Sequence, residues 1–451
     1  MKRRHFLTTS TATAAATFGF QIVPAHVVRA APNRIAPNSK IRIAAIGCGG
    51  RGGNVLGGMA NEDIVALCDV DDSRAAGSFK KFPNAKRFKD FRKMFDTMSD
   101  QIDAVLVATP DHTHTVAVLN AIGRDKHVYC EKPLAHTVGE VRAMRDAAIK
   151  HKVITQVGNQ GHSSDSIRVF CEMVWGGAVG NVTRVNAGCD AFKNVYCQIG
   201  KHPDLLTKKN EVPAGLDWKG WLGPSADRPY NPAYLPFNWR GFSAFGSGCI
   251  GDWICHVLDP TFWALDLDAP TSVTAEVKGY DPDKDAEYYP AGTKITFEFP
   301  AKGDRKAMQF VWHDGDFSIP KPAELGDRRM VGTGAIVIGD KGTIMHGSHG
   351  AGGVRIIPEE AHKAFGRPEQ KIERVRGGHQ ADWLTAVREN KQAGSHFEYG
   401  GAMSEVGLLG MIAIRFPGET LKWDTKAMKI TNNAAANQLV TPEYHNGYTL
   451  G

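Results

Sequence analysis

The 451-residue sequence predicts an α/β fold in two parts: an N-terminal domain built on a parallel sheet, and a C-terminal α+β domain built on a large, mostly antiparallel sheet. Two patterns predict this division. Up to about residue 155, short apolar runs rich in β-branched residues alternate with segments of helical length, which is typical of parallel βαβ units. After that point the apolar runs are longer and partly alternate with polar residues, which favours antiparallel strands.

The predicted elements follow these patterns along the chain. Four buried strands, each closed by a glycine, a proline or an acidic residue, are expected at 41–46, 63–69, 104–108 and 127–130. Later strands are expected at 182–187, 272–278, 294–299 and 308–312, and helices at 113–122, 138–151, 379–390 and 403–416. We therefore place the N-terminal domain at 38–158 and the C-terminal domain at 159–451. A long segment of the second domain, 201–248, is rich in Pro, Gly, Trp and Tyr, which is typical of loops that line binding sites.

Positive charge is concentrated at the N-terminus. The chain has 54 Lys and Arg against 48 Asp and Glu, a net charge of +6. The residues from Met1 to Leu7 contain the twin arginine and Phe-Leu of a Tat export signal, and Val28-Arg29-Ala30 supplies small residues around a cleavage site. We therefore predict a Tat signal peptide at 1–30, an interaction with the Tat export machinery and a periplasmic or otherwise exported protein. A disordered basic tail is the alternative.

Cleavage of that segment changes what the net charge implies. It removes four basic residues and no acidic residue, so the charge falls from +6 to +2; the four are Lys2, Arg3, Arg4 and Arg29. A nearly neutral mature chain gives no reason to expect a nucleic-acid partner. No run of about 18 apolar residues is present, so we expect no membrane partner after cleavage.

The eight cysteines form no C-x-x-C pair, so zinc-ribbon and thioredoxin-like chemistry is unsupported. Cys48, Cys68 and Cys130 lie in or beside apolar strand-like runs, where buried free thiols are common. Although an exported protein can hold disulfides, we expect the cysteines to be mostly reduced. The sequence also predicts no metal site, because no motif supplies a full set of ligands.

A glycine-rich motif follows the first predicted strand and precedes a helix-compatible segment. In G-x-G-x-x-G, Gly47 allows a tight turn, Gly49 lets a pyrophosphate approach the backbone, and Gly52 lets the helix pack closely. Asp69 ends the second strand, where a carboxylate binds the ribose 2′-OH of NAD and repels the 2′-phosphate of NADP. The motif predicts a Rossmann domain that binds NAD, with NADP still open; a purely structural turn is the alternative.

Two further motifs follow strands of the same sheet. Thr109 to His114 (TPDHTH) and Glu131-Lys132-Pro133 lie at carboxyl ends of parallel strands, where open α/β sheets bind ligands. Lys132 precedes a proline and is held in extended backbone. In a later segment, Asp252 and His256 are four residues apart and share one face of an apolar helix, where they are costly unless paired or functional.

In combination these motifs resemble the glucose–fructose oxidoreductase/inositol dehydrogenase/MocA family over nearly all of the mature length. The matching segments are GCGGRG, TPDHTH, EKP, the D-x-x-x-H of Asp252 and His256, and the GHQADW segment that begins at Gly378. The resemblance implies that Lys132, Asp252 and His256 surround the nicotinamide ring and the carbon being oxidised. It also implies a homo-oligomer, either a dimer or a tetramer. Asp111 departs from the family, in which many members have Asn.

The residue types suit oxidation of an alcohol. His256 is the candidate general base, Asp252 orients it or binds a neighbouring hydroxyl, and Lys132 positions the alcohol and stabilises negative charge on its oxygen. The predicted substrate-binding residues are Asn159, His162, Trp239 and Arg240. The predicted cofactor-binding residues are Gly47, Gly49, Arg51, Gly52, Asp69, Thr109, Pro110, His114, Glu131 and Lys132.

Three functions remain open from the sequence. The first is an NAD(P)-dependent oxidoreductase that acts on a hydroxyl of a sugar, polyol or glycoside, with a tightly bound cofactor because the periplasm has no free nicotinamide pool. The second is a redox-neutral NAD-dependent glycoside hydrolase, in which Tyr196, Tyr230, Tyr234 or His162 supplies an additional acid or base. The third is a sugar-binding protein without catalytic activity.

Overall fold

The computed structural model describes residues 40–450, and the predicted signal peptide at 1–30 lies outside this range. The described chain forms two sheets with helices around them, and the predicted two-part α/β architecture is confirmed. Among the described residues no helix is long and apolar enough to cross a membrane. All eight cysteines lie within this range and are free thiols.

The N-terminal sheet has six strands, which are Arg42–Ile46 (β1), Asp63–Cys68 (β2), Lys86–Phe88 (β3), Ala104–Val107 (β4), His127–Cys130 (β5) and Thr155–Val157 (β6). They pair in parallel in the order β3-β2-β1-β4-β5-β6. The strand order reverses between β1 and β4. Sheets of this kind bind ligands in the crevice at the carboxyl ends of the strands, next to the reversal.

Five helices belong to this sheet: Gly50–Gly58 (α1), Asp72–Lys81 (α2), Phe91–Met98 (α3), Asp111–Ile122 (α4) and Val138–His151 (α5). The side chains of Asp71, Asp90 and Thr137 cap α2, α3 and α5 by accepting hydrogen bonds from backbone amides. Helix α1 begins after Gly49 with no side-chain cap in the described structure. Its first amides therefore remain available for an anion.

The C-terminal sheet has nine strands, which are Val182–Cys189 (β7), Ser272–Lys278 (β8), Gly292–Phe299 (β9), Met308–Asp314 (β10), Gly334–Gly339 (β11), Thr343–Gly347 (β12), Arg355–Ile357 (β13), Thr420–Asp424 (β14) and Lys429–Ile430 (β15). Their order is β13-β12-β11-β7-β10-β9-β8-β14-β15. The pair β7 and β10 is parallel and the other pairs are antiparallel. Buried and partly exposed residues alternate along most of β9, as expected for a sheet with one face on the core.

Ten helices belong to the second part: Asp165–Trp175 (α6), Lys193–Tyr196 (α7), Trp218–Leu222 (α8), Gly248–Val257 (α9), Asp259–Ala264 (α10), Ser348–Ala351 (α11), Glu359–Phe365 (α12), Gly378–Glu389 (α13), Phe397–Ile414 (α14) and Ala434–Gln438 (α15). Helix α14 packs between α9 and the N-terminal sheet. A Cβ added to Gly407 would lie 2.7 Å from Cγ2 of Ile254 in α9, and a Cβ on Gly400 would lie 2.6 Å from Cγ2 of Val157 in β6. Glycine at these positions therefore allows the close packing that fixes α9 against the first sheet.

Helix α13 returns from the second part of the chain to the first sheet. Its Trp383, Leu384 and Val387 are buried in the apolar core on one face of that sheet. The Trp383 indole lies edge-on to the Tyr129 ring of β5, with ring centroids 5.7 Å apart. The two parts of the chain therefore share this core.

Replacement of this shared tryptophan tests how much the return of α13 stabilises the fold. Because Trp383 is fully buried, Trp383→Ala should lower the free energy of unfolding by about 3–5 kcal/mol. Urea denaturation followed by circular dichroism measures the change. Trp175→Ala is the matched control, since Trp175 is 43% exposed, and an equal loss in both variants would contradict the prediction.

Candidate active site

A cavity of about 560 Å³ lies between the two sheets, at the carboxyl ends of the parallel strands. At one end its wall is the glycine-rich turn after β1, and at the other it is formed by helix α9 and the aromatic loop 201–248. Lys132, Asp252 and His256 all line it. The three predicted catalytic residues are thus brought into one cavity, from segments that are more than a hundred residues apart.

The three glycines of the G-x-G-x-x-G motif have no room for a side chain. Gly47 has a φ of +77° and donates its amide to the Cys68 carbonyl at 2.8 Å. A Cβ on Gly52 would lie 1.9 Å from the Gly47 carbonyl oxygen, and a Cβ on Gly49 would lie 2.6 Å from the Arg74 carbonyl oxygen. Glycine is therefore required for the close packing of the turn, and Gly47 and Gly49 line the cavity where a pyrophosphate would approach the backbone.

Asp69 holds this turn in place. Its Oδ2 accepts the amides of Cys48 at 2.9 Å and Gly49 at 3.1 Å, and its Oδ1 accepts the Asp71 amide at 3.0 Å. Burial raises the pKa of Asp69 even though these amide hydrogen bonds oppose the shift. The residue lines the cavity at the end of β2, so the predicted contact with a ribose hydroxyl fits its position.

Other predicted cofactor residues line the same wall. Arg51 donates from Nε to Glu131 at 2.8 Å and from Nη2 to Gln160 at 3.2 Å. Thr109 and Pro110 follow β4, and the Thr109 hydroxyl is buried with no hydrogen-bond partner among the described residues. An unpartnered hydroxyl beside an open glycine turn is a donor set that fits a dinucleotide.

His114 does not line the cavity, which corrects the expectation that it contacts the cofactor directly. Its Nδ1 lies 2.9 Å from the Pro133 carbonyl oxygen and its Nε2 lies 2.9 Å from the Thr109 carbonyl oxygen. Burial lowers the pKa of His114 to about 4, so the neutral ring donates to only one of these oxygens at a time. The ring holds together the loops after β4 and β5, and so positions residues that do line the cavity.

Lys132 and Asp252 form a buried ion pair. Lys132 Nζ donates to Asp252 Oδ1 at 2.5 Å and to the Asp252 carbonyl oxygen at 3.1 Å. Tyr196 donates its hydroxyl to Asp252 Oδ2, and Arg240 Nε lies 3.5 Å from the same oxygen. Burial opposes both charges, but the Asp252 carboxylate still raises the pKa of Lys132, and the Lys132 and Arg240 cations hold that of Asp252 well below its ordinary value. Both residues are therefore charged at neutral pH.

His256 lies on the same helix face as Asp252 and is neutral. Burial, together with the charge of Lys132, lowers the pKa of His256 well below its ordinary value. Its Nδ1 is buried with no hydrogen-bond partner among the described residues. The residue lines the cavity, and a neutral imidazole can accept a proton.

His349 is a site residue that the sequence interpretation missed. Its ring stacks on His256 with centroids 4.0 Å apart and an interplanar angle of 20°. It lies in α11, a single turn after β12 in which His349 has a φ of +55° and Gly350 a φ of +86°. The signal in the sequence is the segment Gly347 to Gly353, in which four of the seven residues are glycines.

Asn159 and His162 do not line this cavity, which corrects their prediction as substrate contacts. Both side chains contact Asp259: Asn159 donates to Oδ2 at 3.0 Å, and His162 Nδ1 lies 3.0 Å from Oδ1. Tyr399 also donates to Oδ1 at 2.6 Å. The physical reason is that the buried Asp259 carboxylate collects these donors behind the cavity wall.

Trp239 and Arg240, which were predicted to bind substrate, line the cavity. The Arg240 guanidinium lies over the rings of Trp239 and Phe237, 4.2 Å and 4.3 Å from their centroids. The Arg240 side chain therefore contacts both the aromatic rings of its own loop and the Asp252 carboxylate.

Asp111, the departure from the family pattern, joins two helix N-termini. It begins α4, and its Oδ2 accepts the Ser247 amide at 3.1 Å and the Ser247 hydroxyl at 2.8 Å at the start of α9. Burial, reinforced by the nearby Asp252 charge, raises the pKa of Asp111 to about 7. The contact fixes the cofactor side of the cavity to the helix that carries Asp252 and His256.

Comparison with known proteins defines the class. Residues 41–159 match an oxidoreductase family with an NAD-binding Rossmann fold, and residues 169–303 match the C-terminal alpha/beta domain of that family. The two matches together cover more than half of the chain. The chain belongs to this family of oxidoreductases, Gfo/Idh/MocA, and its N-terminal domain is an NAD-binding Rossmann fold.

Curated relatives match over part of their length. The chain is 33% identical over 149 residues to inositol 2-dehydrogenase of Rubrobacter xylanophilus, which covers 32% of this chain and 42% of that protein. It is 27% identical over 194 residues to levoglucosan dehydrogenase of Pseudarthrobacter phenanthrenivorans, which covers 43% of this chain and 40% of that protein. The chain thus spans less than half the length of these relatives.

Solved structures share the fold over a larger part of the chain. An aldose–aldose oxidoreductase from Caulobacter crescentus, complexed with glycerol, has a TM-score of 0.55 at 18% identity and covers 85% of this chain and 100% of its own. A levoglucosan dehydrogenase complexed with NADH and L-sorbose has a TM-score of 0.56 at 16% identity and covers 85% of this chain and 99% of its own. At these identities the similarity shows the fold.

The role of Asp69 in ordering the glycine turn can be tested by removing its carboxylate. Asp69→Ala leaves the Cys48 and Gly49 amides without their acceptor, so the dissociation constant for NAD should rise about tenfold. Isothermal titration calorimetry measures this constant. Asp96→Ala, which removes an exposed aspartate (side chain 68% exposed), is the control, and equal affinities for NAD in all three proteins would contradict the prediction.

The stacking of His349 on His256 leads to a prediction for the pKa of His256, which can be measured without substrate turnover. His349→Ala admits water to His256 and should raise the pKa of His256 towards its ordinary value, because the loss of burial favours the charged ring. The charged groups facing His256 remain in place; they are Lys132, Asp252 and Arg51. NMR titration of the His256 ring measures the shift, and His349→Phe, which keeps the ring covered, should leave the pKa low. A common pKa in the three proteins would exclude this role for His349.

Proposed function

We propose that this protein is an exported NAD-dependent dehydrogenase that oxidises a hydroxyl group of a sugar, polyol or glycoside. The observation that carries the proposal is the Lys132–Asp252 ion pair beside the neutral His256, on the wall of a cavity that begins at the NAD-binding turn. The dehydrogenase names of the curated relatives support it.

The ionisation of these side chains divides their roles. Lys132 is held as a cation by Asp252, so it can donate a hydrogen bond to the substrate oxygen and stabilise negative charge there, but it is not available as a base. His256 is neutral and can take the hydroxyl proton. Bound NAD supplies the hydride acceptor. Tyr196 and Arg240 keep Asp252 in place, so the ion pair is held from both sides.

We further propose that NAD is held tightly and is reduced and reoxidised on the protein. The support is the predicted Tat signal at 1–30, since an exported enzyme has no free nicotinamide pool to draw on. A tightly held cofactor also agrees with the cavity wall on this side, which is formed by the glycine turn, Asp69 and the Arg51–Glu131 pair.

We also propose that the protein forms the dimer or tetramer that the family resemblance implies. Light scattering of the purified protein tests this oligomeric state.

A panel of free sugars, polyols and glycosides tests the reaction. Oxidation should appear as NADH absorbance with a keto product, while glycosidic bonds stay intact. Release of aglycone with solvent deuterium at a ring carbon would instead assign the redox-neutral glycoside hydrolase. Protein that binds NAD but converts no compound in the panel, with no reduction of NAD, would contradict both reactions.

Replacement of Lys132 should slow the oxidation of the substrate while the protein stays folded. Lys132→Ala removes the cation at the substrate oxygen, and kcat should fall by about a thousandfold. The fold should be retained, because Arg240 and Tyr196 still contact Asp252. Stopped-flow reduction of NAD measures the rate and circular dichroism checks the fold. Lys391→Ala, at an exposed lysine (side chain 75% exposed), is the control, and full activity in Lys132→Ala would remove this site assignment.

A further inference from the structure

Two large apolar side chains are exposed at the cavity. Phe192 is 53% exposed and Phe237 is 40% exposed, and both line the same cavity as Lys132 and Asp252. Their rings lie edge to face with centroids 5.9 Å apart. Isolated exposed apolar residues need no explanation, but a pair of aromatic rings at a cavity wall is an apolar surface available to a ligand.

The backbone at Phe192 is strained. Its φ of +55° and ψ of +30° place a bulky aromatic residue in the left-handed region, which favours glycine and asparagine. Its carbonyl oxygen accepts the Val195 amide at 2.8 Å and the Tyr196 amide at 3.3 Å, at the start of the turn that carries Tyr196. Strain of this kind is retained where the surrounding structure requires it, and it is concentrated at functional sites.

The exposed rings adjoin the catalytic residues. Phe192 stacks on Trp253 with centroids 6.0 Å apart, and Trp253 Nε1 donates to the Tyr196 hydroxyl at 2.7 Å. Tyr196 in turn donates to Asp252. On the other side, Phe237 covers the guanidinium of Arg240. The apolar surface is therefore continuous with the groups that surround the reacting hydroxyl.

We propose that Phe192, Phe237 and Trp253, named the aromatic subsite, bind a second ring attached to the sugar that is oxidised, so that the substrate is a glycoside and not a free sugar or polyol. The inference rests on the proposed dehydrogenase function and specifies its substrate class. A flat aglycone or the apolar face of a second sugar stacks on aromatic rings, whereas a free monosaccharide leaves them exposed to water. Arg240, beside both Phe237 and Asp252, is placed to donate to the bridging oxygen or a neighbouring hydroxyl.

A panel of one-ring and two-ring glycosides tests the aromatic subsite. The panel consists of methyl and phenyl α- and β-glycosides of glucose, galactose and mannose, with the disaccharides cellobiose, lactose and maltose, and NAD reduction is the readout. In single-turnover stopped-flow measurements, the second-order rate constant for reduction of the bound NAD should be at least about tenfold higher in the wild-type protein with the two-ring compounds than with the matched methyl glycosides. Phe192→Ala and Phe237→Ala should each lower this ratio about threefold to tenfold. Preference for phenyl glycosides alone identifies an aromatic aglycone, and preference for disaccharides identifies a second sugar.

The outcomes separate this inference from the proposed function. Equal turnover of methyl and two-ring glycosides, or a ratio unchanged in both variants, keeps the dehydrogenase and removes the aromatic subsite. Absence of NAD reduction with every compound removes the proposed function. Ile149→Ala, at another exposed apolar residue (50% exposed), is the control for loss of apolar surface and should retain the wild-type ratio.

Replacement of Phe192 by glycine tests whether the strained backbone at this position serves the subsite or the fold. Phe192→Gly relieves the left-handed conformation, so the melting temperature should rise while the preference for two-ring substrates falls. A residue that serves only the fold would show the opposite change in stability. A lower melting temperature in Phe192→Gly, together with an unchanged substrate ratio, would overturn the assignment of Phe192 to the subsite.

Discussion

The buried ion pair between Lys132 and Asp252 is the interaction on which the arrangement of the site depends. The two residues come from different parts of the fold, the loop after β5 and helix α9, and their charged atoms meet at 2.5 Å. Two charges removed from water are stable only when their geometry is good and their remaining hydrogen-bonding positions are filled. Tyr196 and Arg240 meet that requirement at Asp252, so the position of α9 relative to the parallel sheet has little freedom.

The packing of the chain provides that position. Helix α14 lies against α9 at Gly407 and against β6 at Gly400, where a side chain would clash. Asp111 adds a second link, since it begins α4 and accepts two hydrogen bonds from Ser247 at the start of α9. His114 joins the loops after β4 and β5. These contacts place the NAD-binding edge and the catalytic helix as one unit, which a hydride transfer requires because reacting atoms must be held close together.

Sequence patterns predicted the parts of this structure that rest on local signals. Local patterns predicted the apolar strands β1, β2, β4 and β5, and the spacing of Asp252 and His256 predicted that they share a helix face. The catalytic role of Lys132 was predicted from the family motifs. Strand β3, with its polar sequence Lys86–Phe88, carries no apolar run, and strands β13 and β15, with three and two residues, are too short to show a pattern. Strand β11 does carry an apolar run, so it lay within reach of a local signal. His349 reaches the site from a left-handed turn almost a hundred residues after His256, and no periodicity records such a contact.

The charges in the cavity explain why one group is left to change its protonation. Lys132 and Asp252 fix each other as ions, and the Arg51–Glu131 pair lies on the same wall. Within the described range, 40–450, His256 has no ionic partner of this kind: burial, the Lys132 cation and the stacked His349 all favour its neutral form. His256 is therefore the neutral acceptor on this wall for a proton released from a substrate hydroxyl, while the Lys132 cation opposes its staying there. A proton that His256 takes up is for that reason readily passed on, as a group that exchanges protons with a substrate hydroxyl requires.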